Sequence, residues 1–327
     1  MPSAVGVDIG GTSVKLAVVR PDGSVLLRSS LSTQADDDPD TTISRIARGV
    51  DDLLDAARRT DPERVGEPVV GVGCAGLIST QEGVVHLSPN LPRWKDVPLG
   101  PDLSRRLGAP VLLHNDANAF VLGEFWAGAG RGARVLLGLT LGTGVGGGIV
   151  LDGELFTGSH GFAGEFGHTP IDVEGPPCGC GARGCLEIYV GNRAIVNRYL
   201  ELCSGRPGPH VERLIEGDTG RLDPEIISRG ARAGDVEARD AFARTGALLG
   251  AGLAGLANVF DPDRIVIGGG VALAGELLLE PARAALAGRA MAPAAFLPDV
   301  RPAALGAQAG VVGVALEALD GYAGPGS

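Results

Sequence analysis

Apolar and polar positions fall into blocks along the chain, and the block lengths predict most of its elements. Residues 5–19 hold two apolar stretches around an Asp-x-Gly-Gly-Thr turn, which reads as a β-hairpin. A second turn, Pro21-Asp-Gly23, leads to a third strand over 25–28. After an acidic loop at 36–40, Ile43, Ile46, Ala47, Val50, Leu53, Leu54 and Ala57 recur at helical spacing, predicting an amphipathic helix over 41–59. Apolar strands follow at 69–74 and 110–114, the second running into Asn115-Asp-Ala-Asn118 and a helix to about 126. A second hairpin covers 134–151, turning through Thr140-Leu-Gly-Thr-Gly144. The middle, 158–191, is loop-rich, and the last third is helical apart from a strand that ends in Gly268, Gly269 and Gly270. Gly306, Gly310 and Gly313 line a final helix and allow close backbone packing. Two α/β halves, each opening with a phosphate-sized turn, predict a duplicated architecture with a cleft.

Composition narrows the class. A chain of 327 residues predicts about two domains. The net charge of −11 disfavours nucleic acid or an anionic membrane as partner. Residues 1–8 lack a basic region and reach a carboxylate early, so no signal peptide is expected. The weakly polar run 246–260 is too short and glycine-rich to span a bilayer and reads as a buried helix. Three of five cysteines fall within eight residues, a metal pattern of a reducing compartment, so the expected location is cytoplasmic.

The turns and the cysteines carry the chemistry. Gly142-x-Gly144-x-x-Gly147 fits a dinucleotide pattern, but a strand and turn follow it where that fold needs a helix. Glycine turns at 8–12, 142–148 and 268–270 each end an apolar strand, and such turns can present backbone N–H groups to phosphate. No P-loop is present. Cys178, Cys180 and Cys185 with His168 make a closed Cys3His set suited to structural Zn2+; the plain alternative is three buried or free thiols. Cys74 and Cys203 have no such partners and read as ordinary thiols. Asp116, where a strand ends and a helix begins, is placed to point into a cleft or to cap the helix. Asp8 reads as a phosphate-site carboxylate or an Asx turn.

Asp8-Ile-Gly-Gly-Thr12, residues 140–148 and Ile267-Gly-Gly-Gly270 resemble the phosphate and adenosine segments of the actin/hexokinase/Hsp70 ATPase fold. Gly164-Glu-Phe-Gly-His168 with Cys178-Gly-Cys-Gly-Ala-Arg-Gly-Cys-Leu-Glu187 resembles the ROK family (repressors, open reading frames and kinases), and the likeness runs essentially end to end. It implies two α/β domains flanking a cleft: 1–116, joined by a C-terminal helix at about 305–327, and a larger 117–304 carrying the zinc loop. It implies ATP-dependent phosphorylation of a hexose 6-hydroxyl, glucose foremost, with Mg2+ accompanying ATP. N-acetylglucosamine, N-acetylmannosamine, mannose or fructose are alternative acceptors, and polyphosphate an alternative donor. A sugar-sensing regulator is the non-enzymatic alternative; with seven residues before Asp8, no helix-turn-helix is expected. By the same resemblance Asp116 is the base, and Asp8, Gly10, Gly11, Thr12, Gly142, Thr143 and Gly144 line the phosphates. Gly268, Gly269 and Gly270 abut the nucleoside. Gly76, Asn90, Asn115, Asp116, Glu165, His168 and Glu187 meet the sugar, in an assembly expected to be a homodimer or homotetramer. Cys74-Ala-Gly76 departs from the Pro-Gly usual in the family. Because the nucleotide turns are distant from the metal ligands in sequence, metal loss is expected to harm sugar binding and largely spare nucleotide binding.

Overall fold

The first hairpin forms where the pattern places it. In a computed structural model that describes residues 3–62 and 65–323, β1 (Ala4–Ile9) and β2 (Ser13–Val19) pair antiparallel, and β3 (Val25–Ser32) extends the sheet past the predicted strand end. β4 (Val70–Cys74) joins β1 in parallel. Three short strands, β5 (Leu77–Ser79), β6 (Val84–Leu87) and β7 (Lys95–Val97), form a small sheet of their own that the sequence reading did not anticipate. β8 (Val111–Asn115) closes the main sheet, whose order is β3-β2-β1-β4-β8. One face is covered by α1 (Pro39–Thr60) and α2 (Leu99–Leu107), with Ile43, Ile46, Val50, Leu99 and Leu103 packed against Val7, Val72 and Leu113. Trp94 is buried in this core.

The other face meets α3 (Asp116–Ala127) and α10 (Ala309–Ala323) almost backbone to backbone. A Cβ on Gly6 would lie 1.9 Å from the Val311 carbonyl oxygen, one on Gly71 1.8 Å from that of Val314, and one on Gly313 2.1 Å from that of Ala119. Of the small residues predicted to allow this packing, Gly310 and Gly313 lie in α10, whereas Gly306 belongs to a 3-10 turn before it.

The chain divides into two compact units, and the boundary differs from the expected one. The first holds residues up to Gly132, Glu154–Ala163 and the chain from Ala304 onward; the second holds Ala133–Gly153 and Gly164–Ala303. Residues 117–132 therefore belong with the first unit, because α3 packs on α10 and on β4. The predicted helix at 305–327 begins only at Ala309, and 324–327 lie outside the described residues. The fully buried carboxylate of Glu124 in α3 anchors the returning chain, accepting from the N–H groups of Ala304 at 2.9 Å and Leu305 at 2.8 Å.

In the second unit β9 (Val135–Leu141) and β10 (Val145–Leu151) form the other predicted hairpin. β11 (Glu154–Leu155) is a two-residue strand that belongs to the first unit. β12 (Arg264–Gly268) pairs in parallel with β9, and β13 (Asp299–Pro302) in parallel with β12. The order β10-β9-β12-β13 repeats β2-β1-β4-β8, strand directions included. Around it lie α4 (Glu187–Val190), α5 (Asn192–Leu202), α6 (Pro209–Ile215), α7 (Pro224–Arg232), α8 (Val236–Phe260) and α9 (Glu276–Ala287). The run 246–260 forms the largely buried second half of α8, with Gly246 and Gly250 pressed on α9. No helix among the described residues is long and apolar enough to cross a membrane.

Candidate active site and metal centre

The β1–β2 turn is tied down by its own backbone. Gly10 N–H donates to the Ser13 carbonyl at 3.0 Å, and Thr33 Oγ1 donates to the Gly10 carbonyl at 2.6 Å. Thr12 at the tip is exposed, and Asn90 lies against the turn, its Cβ 3.3 Å from where a Cβ on Gly11 would sit. Asp8 is a strand residue in register with Lys15 and no Asx turn; Lys15 Nζ lies 3.3 Å from its carboxylate and donates to the Ala307 carbonyl at 3.2 Å. Lys15 had no role in the sequence reading.

At the head of α3 the cap is Asn115. Its Oδ1 accepts from the N–H groups of Ala117 at 2.8 Å and Asn118 at 3.3 Å, while its Nδ2 donates to the Gly76 carbonyl at 3.0 Å. Asp116 is the first helical residue and is exposed, with its charge favoured by the helix dipole. Burial pushes the Cys74 thiol up, and the nearby charges of Asp116 and Asp8 add to that. Gly76 has φ +125°, and a Cβ there would lie 2.0 Å from the Leu87 carbonyl oxygen, so the close approach that requires glycine here is made by the protein's own backbone. His114, just before the cap, is buried with neither ring nitrogen hydrogen-bonded, and burial lowers its pKa to about 4. Only its place beside Asn115 could have marked it.

In the second unit the β9–β10 turn closes with Gly142 N–H donating to the Gly144 carbonyl at 2.9 Å, leaving Thr143 and Gly144 exposed. Behind it, Asn192 N–H donates to the Gly142 carbonyl at 2.8 Å, and Glu187 Oε2 accepts from Val145 N–H at 2.9 Å. A pocket of about 220 Å³ opens beside the turn, lined by Thr143, Glu187, Gly191, Arg193 and Asn197. Arg193 and Asn197 carried no motif in the sequence. Gly268 ends β12 opposite Thr140, and at Gly269, with φ +85°, an added Cβ would lie 2.2 Å from the Leu141 carbonyl oxygen. Gly270 faces open space.

His168, Cys178, Cys180 and Cys185 converge, with all their ligand atoms within 4.8 Å of one another. A tetrahedron of ligands bonded at about 2.3 Å has edges near 3.8 Å. Cys180 Sγ to Cys185 Sγ is 3.7 Å, and Cys178 Sγ to His168 Nδ1 is 3.7 Å, so the four residues fit a tetrahedral thiophilic cation. A backbone hairpin shapes the loop, with Cys178 N–H donating to the Ala182 carbonyl at 2.8 Å and Gly184 pressed on Asp172. Burial, followed by the neighbouring thiols, pushes Cys185 up to about 12. A bound divalent cation reverses that opposition. The exposed Glu165 starts the 3-10 turn Phe166–His168. Glu187 Oε1 lies 4.0 Å from Cys178 Sγ. The metal cluster and the glycine turn, far apart in sequence, thus both lie against the Glu187 carboxylate.

A family model described as the ROK family matches residues 4–320. A protein named Glucokinase from Thermotoga maritima is 38% identical over 279 residues, 85% of each chain. Another Glucokinase, from Streptomyces coelicolor, is 37% identical over 324 residues, covering 96% of this chain and 97% of its own. Among solved structures, a ROK family glucokinase from Streptomyces griseus in complex with glucose and AMPPNP superposes with a TM-score of 0.80 at 34% identity, covering 97% of this chain and 99% of that one.

Proposed function

Because the chain belongs to the ROK family, we propose that it is an ATP-dependent glucokinase, transferring the γ-phosphoryl group of ATP to the 6-hydroxyl of glucose. The observation that carries this reading is Asp116, an exposed carboxylate at a helix head whose cap is supplied by its neighbour Asn115. Asp116 accepts the 6-hydroxyl proton as O6 bonds to the γ-phosphorus, and the bond to the β–γ bridging oxygen breaks to release ADP. Asp8 and the turn of Gly10, Gly11 and Thr12, with the turn of Gly142, Thr143 and Gly144, hold the phosphates through N–H groups and the Thr hydroxyls. Mg2+, when bound with ATP, neutralises the phosphate oxygens. The nucleoside lies by Gly268, Gly269 and Gly270. Asn90, Asn115, Glu165, His168 and Glu187 pair with the remaining sugar hydroxyls, since a buried hydroxyl left unpaired costs about 1–3 kcal/mol.

Zn2+ is the cation we assign to His168 Nδ1 and the three thiolates. Four protein ligands leave no position for activated water, so its role is to fix the loop and to leave His168 Nε2 for a hydroxyl. Thiolate ligands of this kind persist in a reducing cytoplasm, the location we assign, and the functional form is a homo-oligomer.

A coupled assay of the purified protein with glucose, mannose, fructose, N-acetylglucosamine and N-acetylmannosamine, each with ATP or polyphosphate, tests the reading. The highest kcat/KM is expected for glucose with ATP. A higher value for another pair would reassign acceptor or donor, and no transfer to any sugar would overturn the proposal.

A further inference from the structure

We infer, on the basis of the donor role proposed above for residues 142–144, that Glu187 is a positioning residue linking the metal centre to the nucleotide turn, so that the metal sets affinity for the phosphoryl donor as well as for the sugar. The two oxygens of its carboxylate reach in different directions. Oε2 accepts from Val145 N–H at 2.9 Å, immediately after the glycine turn, and Oε1 lies 4.0 Å from Cys178 Sγ, a metal ligand. The backbone repeats the connection. Leu186 N–H donates to the Thr169 carbonyl at 2.9 Å, next to His168, and Ile188 N–H donates to the Cys185 carbonyl at 3.2 Å. Seven residues after the thiolate of Cys185, Asn192 N–H holds the Gly142 carbonyl at 2.8 Å. One short segment therefore begins at a metal ligand and ends at the turn.

Two features make this segment stiff. Leu186 is fully buried against α8, its Cδ atoms 3.0 Å from where a Cβ on Gly252 would lie. Gly144 has no side chain to hold the carboxylate away: a Cβ there would lie 2.7 Å from Glu187 Oε2. A side chain at 144 would require the Glu187 carboxylate to shift from its place on Val145. Each carboxylate oxygen has two lone pairs, so accepting from Val145 leaves capacity for a sugar hydroxyl. Loss of the metal frees Cys178 and Cys185, and with them the base on which Glu187 stands.

The test uses zinc-loaded wild-type protein, Glu187→Ala and Glu187→Gln, each also stripped of metal by chelation. Three readouts are taken without sugar: AMPPNP affinity by calorimetry, amide exchange of Val145, and metal content. Glu187→Ala with normal zinc content is expected to weaken AMPPNP at least about 10-fold, as loss of a charged hydrogen bond does. It should also expose the Val145 amide to exchange. Glu187→Gln, which keeps an acceptor oxygen, should recover most of both. Stripping the wild type should reproduce the alanine effect, and stripping Glu187→Ala should add little. Unchanged AMPPNP affinity in a folded, zinc-loaded Glu187→Ala, or metal and substitution effects that simply add, would overturn the link. If stripping unfolds the protein, a folded Cys178→Ser variant takes its place, and normal AMPPNP affinity and Val145 protection in it would overturn the link. Should the protein phosphorylate no sugar at all, Val145 exchange still reports the tie, so failure of the kinase reading and failure of the link are told apart.

Discussion

Asn115 and Asp116 stand together at the head of α3: the Asn115 amide caps the helix, and the exposed Asp116 carboxylate shares one of its N–H groups, accepting from Ala117 at 3.0 Å. Asp116→Ala should therefore lower kcat at least about 10²-fold with a smaller change in nucleotide affinity. Near-normal kcat in steady-state assays would reduce Asp116 to a favourable charge at a helix N-terminus. One residue earlier, His114 makes a second prediction. Its folded pKa of about 4 lies below the ordinary 6.5, so between those values the unfolded chain binds a proton that the folded chain does not. Stability therefore rises with pH across that window and falls as pH drops from 6.5 toward 4, by on the order of 3 kcal/mol in full. Glu317, whose pKa burial raises, acts with the opposite sign, and the carboxylates of Asp22, Asp38 and Asp263, lowered by hydrogen bonds, act at lower pH. His114→Phe isolates the histidine, because its ring nitrogens have no hydrogen bonds to lose. Urea midpoints for this variant should flatten between pH 4 and 6.5; a profile parallel to the wild type would refute the assignment.

Among the elements, the packing of α10 on the sheet is the most demanding contact. Gly6→Ala should lose about 3 kcal/mol or more, since the methyl meets a backbone oxygen that cannot rotate away. Gly255→Ala, exposed in α8 with nothing within 4 Å, should instead gain roughly 0.5–1 kcal/mol. Equal urea midpoints for the two variants would show that α10 yields. Both hairpins and α1 were legible because each follows a single period over many residues. The strands β5, β6 and β7 were not, since three or four residues with Leu77 and Leu87 exposed give no alternation to read. Nor was α2, whose Gly100 and Pro101 mimic a turn. The metal cluster was legible from ligand chemistry alone. The bonds of Glu124 to 304–305 and of Glu187 to Val145 join residues 180 and 42 positions apart, and no local pattern encodes such distances. Asp116 was a poor place for a domain boundary for a related reason. The residues 117–124 that follow it are all buried, which is what a helix held between a sheet and another helix requires.

For the molecule as a whole, duplication is written into the sheets, where β2-β1-β4-β8 and β10-β9-β12-β13 share order and direction. Their surroundings differ: the first sheet is finished by α10, which belongs to its unit although the whole second unit lies between them in the chain. That arrangement has a consequence for biosynthesis. When β1, β2, β4 and β8 have left the ribosome, the apolar face formed by Ala4, Ala17, Val19 and Val69 still lacks the helix that covers it. About 190 residues, from the end of β8 to the start of α10, must be translated first, a wait of roughly 10–40 s at ordinary elongation rates. Through that interval the nascent chain exposes a sticky sheet face for chaperones to shield. A messenger cut short before the codon for Ala309 would yield a product that never loses that face.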